Sequence, residues 1–153
     1  MNTSSPRIVP IQHGFTLVEM VATLVIVGIL AAVVAPRLMD TNVFQSHGFE
    51  EQVKATLRYA QKVAIAQHRF VCATFTSGSV ALSTGPTAAC GTNLKSISDA
   101  GDYVITAPTG ITFTAVPTNF SFNALGTPSA AQTININGAA SGVTIEAETG
   151  YVH

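Results

Sequence analysis

A single carboxylate, Glu19, sits inside an otherwise apolar run over residues 15–35. A charge at the centre of a membrane-length apolar segment costs on the order of 3 kcal/mol, so it needs a partner and marks function. If the chain is cut after Gly14, the new α-amino group of Phe15 becomes a cation about one helical turn from Glu19. The same amine on a neighbouring copy could reach the same carboxylate. The competing reading is a Glu19 that lies near enough to the membrane interface to be hydrated. Cys72 and Cys90 are the second reactive pair. An even number of cysteines behind an export-type segment favours a Cys72–Cys90 disulfide in an oxidising compartment over two buried thiols. Closing a loop of that size contributes ~3 kcal/mol through the unfolded chain.

Other chemistries lack their residues. His13, His47, His68 and His153 are scattered without Cys or carboxylate companions at ligand spacing, which argues against a metal site. No Gly-rich phosphate loop follows a strand. Beyond residue 68 only His153 could serve as a base for a Ser-His-acid arrangement. The expectation is a chain that is not an enzyme and takes no cofactor. The formal charge of −1 supplies no global field for nucleic acid. Past Arg69 the only Lys or Arg is Lys95, against Asp99, Asp102, Glu146 and Glu148. Arg58, Lys62 and Arg69 could form a short basic strip, but a solvated helix face is the better reading, and nucleic acid is not expected as a partner.

The elements that must position these residues follow from composition. At 153 residues, the chain has room for one modest domain plus an anchoring segment. It is 47% hydrophobic and only 10% charged, far from the roughly 25% charged of a water-facing domain. Residues 1–14 are polar, with Pro6, Pro10 and Arg7, and cannot span a membrane. As a helix, residues 15–35 would reach ~30 Å, about one hydrocarbon core. A secretory signal ending near Ala31 and Ala32 is the weaker alternative, because a signal core should not contain Glu19.

The sequence His13-Gly14-Phe15-Thr16-Leu17-Val18-Glu19-Met20, followed by the apolar run and Pro36, resembles the class III leader of type IV pilins and pseudopilins. The resemblance implies that prepilin peptidase cuts after Gly14, that Phe15 becomes the N-methylated N-terminus, and that Glu19 registers each subunit against its neighbour during assembly. It implies as partners the peptidase, other pilin or pseudopilin subunits, an assembly platform and inner-membrane lipid. One departure is His13 directly before the glycine, where the family commonly has Lys or Arg. Retention of positive charge inside then rests on Arg7 and the starting amine.

Past Pro36, which should kink the helix where the membrane ends, helical periodicity resumes. Phe49, Val53, Leu57, Ala60 and Ala64 form one apolar stripe. Glu50, Glu51, Lys54, Arg58, Gln61 and Lys62 lie off it on an expected solvated face, with Glu50 and Lys54 as an i,i+4 pair. Pilins resemble one long curved helix, which is favoured here over two helices separated by a loop at 40–48. After Arg69, Val/Ile/Thr/Phe-rich runs punctuated by Gly, Pro, Ser and Asn predict strands over 70–76, 79–84, 103–106, 111–116, 119–122, 133–137, 143–146 and 151–152. Hairpin turns are expected at Ser77-Gly78 and Asn137-Gly138, and a loop over 85–102. Alternation in Ile134/Ile136 and Val143/Ile145 predicts an antiparallel sheet with one wet face.

Residues 122–128 and the ending Glu148-Thr149-Gly150-Tyr151-Val152 resemble the C-terminal patterns of H-type minor pseudopilins of type II secretion and of MSHA-type and related minor pilins. The fold expected is α+β and pilin-like, a long N-terminal helix followed by an antiparallel β-rich head. The expected divisions are a leader over 1–14, a transmembrane and assembly helix over 15–36, a packed helix over 37–69 and a periplasmic head over 70–153. The function expected is a minor, inner-membrane-anchored, single-pass subunit of a type IV pilus-like or type II secretion filament, with an initiation or tip role. The alternatives are a pilus-displayed module binding DNA or surfaces, and a major structural pilin.

Overall fold

The computed structural model describes residues 14–34, 41–96 and 100–153. The chain divides into two compact units, Met1–Asp40 and Thr41–His153. In the first, helix α1 spans Leu17–Val34. In the second, helix α2 spans Thr41–Gln67 and is followed by strands β1 Phe70–Phe75, β2 Ser79–Gly85, β3 Thr92–Asn93, β4 Val104–Thr106, β5 Phe120–Phe122, β6 Gln132–Ile134 and β7 Val143–Ile145. The order is the expected α+β one, an N-terminal helix and then an antiparallel head. Residues 1–13, and Pro36 with its expected kink, lie outside the described residues. Residues 41–48, where a loop is the less favoured alternative, are helical, Gly48 included, as the favoured reading has them.

α2 carries the stripe foreseen for it. Phe49, Val53, Leu57, Ala60 and Ala64 are all buried at 1% exposure or less. The helix ends in a Schellman motif, with Arg69 N–H on the Ala64 carbonyl at 3.2 Å and His68 N–H on the Ile65 carbonyl at 3.3 Å. His68 takes the left-handed conformation there at φ 50°, where glycine is the usual residue. That turn sends the chain directly into β1.

The larger sheet runs β3-β2-β1-β5, with β4 also on β2. β3 pairs with Ser83 and Thr84 while β4 pairs with residues 79–81, so the two share one edge of β2 end to end. β6 and β7 make a second antiparallel pair. Alternation sets the faces: Val71, Ala73 and Phe75 of β1, Val80 and Leu82 of β2, and Phe120 and Phe122 of β5 enter the core. Phe49, Phe113, Phe75, Phe120 and Phe122 form a continuous aromatic chain with ring centroids 5.2 to 6.0 Å apart, each such pair contributing about 0.5–1.5 kcal/mol beyond burial.

Several expected strands are shorter or absent. Residues 111–116 form no strand; Phe113 makes an isolated bridge to Ile136, and 151–152 contribute only the Val152 bridge to Ile145. The short β3 lies within the expected 85–102 loop. The wet face is also incomplete, because Cys72 and Ser121 on it are buried, at 9% and 5% exposure.

Candidate functional site

α1 begins with an arrangement not anticipated from the sequence. Thr16 is its N-cap: the Glu19 N–H donates to Thr16 Oγ1 at 3.2 Å, and the Met20 N–H reaches the Thr16 carbonyl at 3.1 Å. Thr-x-x-Glu is the capping-box spacing, and that spacing was the signal available. An acidic residue in the first turn also complements the helix dipole. The Glu19 side chain is exposed, and among the described residues its carboxylate has neither an ion pair nor a hydrogen bond.

The rest of α1 is apolar on all sides and covered by nothing described. Leu17, Val18, Met20, Val21, Leu24, Val25, Ile26, Val27, Ile29 and Leu30 are each more than half exposed. A helix apolar all round belongs in a bilayer or a packed core. Gly14 has open space around its Cα, and Phe15 beside it is 76% exposed. Among the described residues no helix is long and apolar enough to cross a membrane. The expected span over 15–36 runs past Val34 into residues outside the described ones.

In the head, the two segments singled out by their turn residues meet on α2. Gln61 Nε2 donates to the Gly126 carbonyl and to the Thr149 carbonyl, both at 2.9 Å. Gly126 has φ +83°, and a Cβ there would come 2.7 Å from Ile65 Cδ1. A Cβ at Gly150, φ +67°, would overlap the Gly126 carbonyl itself. Both positions need glycine for conformation and for space. Arg58 Nε donates to the Val152 carbonyl at 3.0 Å, so the last residues are fastened to the helix.

The expected solvated face of α2 is therefore corrected at Glu50 and Gln61. Glu50 is buried at 2% exposure, because the 138–141 segment covers it: Ser141 Oγ donates to Glu50 Oε1 at 2.7 Å. Its Oε2 is buried without a hydrogen bond, with His47 Nδ1 3.6 Å away. Lys54 lies 3.8 Å from Glu50 but 2.8 Å from Glu51, so the closer pair is i,i+3. That hydrogen bond holds the Glu51 carboxyl below its ordinary range. Gln61 is half-buried, whereas Arg58 stays exposed, as expected, although its Nε is bonded. One turn nearer the N-terminus, Ser46 Oγ donates to the Asn137 carbonyl at 2.8 Å.

Cys72 and Cys90 are joined as a disulfide, 18 residues apart. Lys95 Nζ meets Asp102 Oδ1 at 2.7 Å, and Asn93 Nδ2 donates to Asp102 Oδ2 at 2.8 Å. These two contacts, Lys95 first, hold the Asp102 carboxyl below its ordinary range. Among the described residues no His, Cys, Asp and Glu cluster could hold a metal.

Residues 10–35 match the family model of the prokaryotic N-terminal methylation motif. No curated protein and no solved structure matches the chain. The motif supports a type IV pilin-like subunit that is processed by prepilin peptidase and assembles with other pilins.

Proposed function

We propose that this chain is a minor pilin or pseudopilin, cut by prepilin peptidase between Gly14 and Phe15, methylated on Phe15, and built into a type IV pilus-like or type II secretion filament in an initiation or tip role. The observation that carries the reading is α1. It is a helix apolar on every described side, covered by no described residue, and headed by a methylation motif with a Glu19 in its first turn whose carboxylate has no partner among the described residues.

Before assembly the apolar run over 15–35 sits in the inner membrane as a single-pass anchor, its 21 residues reaching ~31 Å, with the head in the periplasm. The assembly platform then withdraws it, and helices of neighbouring subunits replace lipid. The freed Phe15 amine of one subunit pairs with Glu19 of the next. In that dry setting breaking such a pair costs about 3–5 kcal/mol, because it leaves a charge uncompensated. Pairing thus acts as a register check on apolar packing that is otherwise tolerant of sliding. The minor role draws on the two C-terminal turns, whose likeness to H-type pseudopilins and MSHA-type pilins falls on the segments that Gln61 ties together.

Intact-mass and N-terminal analysis of membrane-extracted protein, made with and without the peptidase, tests the processing. The expected result is a chain starting at methylated Phe15 only when the peptidase is present. An intact Met1, or a start near Ala32, would sink the reading. Copy number in sheared filaments separates a minor from a major subunit.

A further inference from the structure

The outer face of the larger sheet holds a cleft. It encloses about 360 Å³, within the size range of small-ligand sites. Its floor is a row across three strands. Ser83 of β2 and Ser121 of β5 are both register partners of Cys72 on β1, so all three side chains point to one face. Ala88 and Ala89, in the loop closed by Cys90, form one wall, and Asn119 and Ser129 form the other.

The lining combines two properties. It has no charged side chain. It also has hydrogen-bonding groups that the protein leaves unused. Asn119 Oδ1 accepts the Phe75 N–H at 2.8 Å, while its amide NH₂ has no partner among the described residues. The hydroxyls of Ser83 and of the 5%-exposed Ser121 likewise bond to no described residue. Ser129 Oγ accepts from the Ser121 N–H at 3.1 Å and keeps its own proton to donate. Beside these groups the alanine methyls offer a small apolar surface.

We infer that this cleft binds a neutral N-acetylated saccharide, whose hydroxyl and amide groups meet Ser83, Asn119, Ser121 and Ser129 and whose acetyl methyl rests on Ala88 and Ala89. An anionic ligand would enter without a counter-charge, which is costly where water is displaced. An extended peptide would need a free strand edge, and the outer edge of β5 is taken by the Ser129 N–H on the Ser121 carbonyl at 2.8 Å and by the Pro128 bridge to Phe122. The inference stands whether or not the chain enters a filament.

The test is amide NMR of the full chain in detergent micelles, titrated with N,N′-diacetylchitobiose to millimolar concentration. Saturable shifts confined to Thr74, Ser83, Ala88, Ala89 and Ser121 are expected. Asn119→Asp keeps the oxygen that accepts from Phe75 and removes the free donor, and Ser83→Ala removes one hydroxyl. Each should weaken binding about fivefold, the scale of one hydrogen bond, with unchanged head stability. Shifts absent or scattered outside the cleft would overturn the inference, as would equal binding by both variants. Equal binding of cellobiose would overturn the N-acetyl preference, and tighter binding of an extended peptide would overturn the saccharide class.

Discussion

α1 and α2 are successive helices of one chain, and they bury opposite fractions of their apolar surface. Every described apolar side chain of α1 is exposed, whereas the stripe of α2 is covered by the two sheets. Their glutamates differ in the same way. Glu19 is exposed with no partner for its carboxylate among the described residues, and Glu50 is buried with Ser141 on one oxygen. The head finds its partners within the chain; in the function we propose, the N-terminal helix finds them in lipid and in neighbouring subunits. Substitutions in the two regions should therefore separate cleanly, the first changing processing and assembly without touching head stability, the second doing the reverse.

The largest effect should come from Gly14→Leu, which leaves the full-length precursor in the membrane; normal mature protein on an immunoblot would break the separation at its first step. Glu19→Val should permit cleavage yet abolish incorporation into filaments, with the head melting unchanged. Full incorporation of that variant would mean that Glu19 serves α1 only as a first-turn residue. In the head, replacing Cys72 and Cys90 together by Ala should lower stability by ~3 kcal/mol, read by denaturant titration, and leave leader cleavage intact. Gln61→Ala frees two carbonyls and should cost about 2 kcal/mol. Loss of amide-exchange protection in residues 143–153 ahead of β1 and β2 is the accompanying sign.

The smallest effect is that of pH on Asp102. Its carboxyl lies lower in the folded chain than in the unfolded one, so its contribution is present above the ordinary value of about 3.9 and fades as pH falls through the folded value. Because the group is exposed, the loss should be slight and local to the Lys95–Asp102 bridge. An NMR titration of Asn93 and Lys95 checks it, and Asp102→Asn should abolish the response.

What could be read from the sequence was what depends on neighbours in the chain. The α2 stripe, the β1–β2 hairpin at Ser77-Gly78 and the spacing of Gly14, Phe15 and Glu19 all lie within a few residues of their own context. The misreadings involve partners far away. Gln61 reaches Gly126 and Thr149 across 65 and 88 residues, and Glu50 reaches Ser141 across 91. Periodicity places such residues off the apolar stripe and so assigns them to solvent, although a later segment covers them. Residues 111–116 had strand composition, but Phe113 pairs only once, with Ile136. Composition says which residues prefer a sheet and not whether an edge is free to receive them.

The polar ties between α2 and the head also bear on load. Ser46, Glu50, Arg58 and Gln61 are spread along the helix from residue 46 to residue 61, roughly 22 Å of its length. A pull along the axis from the Thr41 end strains all four together, as a shear, whereas lifting the helix from one end would break them in turn. A subunit dragged by its N-terminal helix would thus resist being stripped of its head. Single-molecule pulling should find a higher rupture force along that axis than across it, and equal forces would refute the shear geometry.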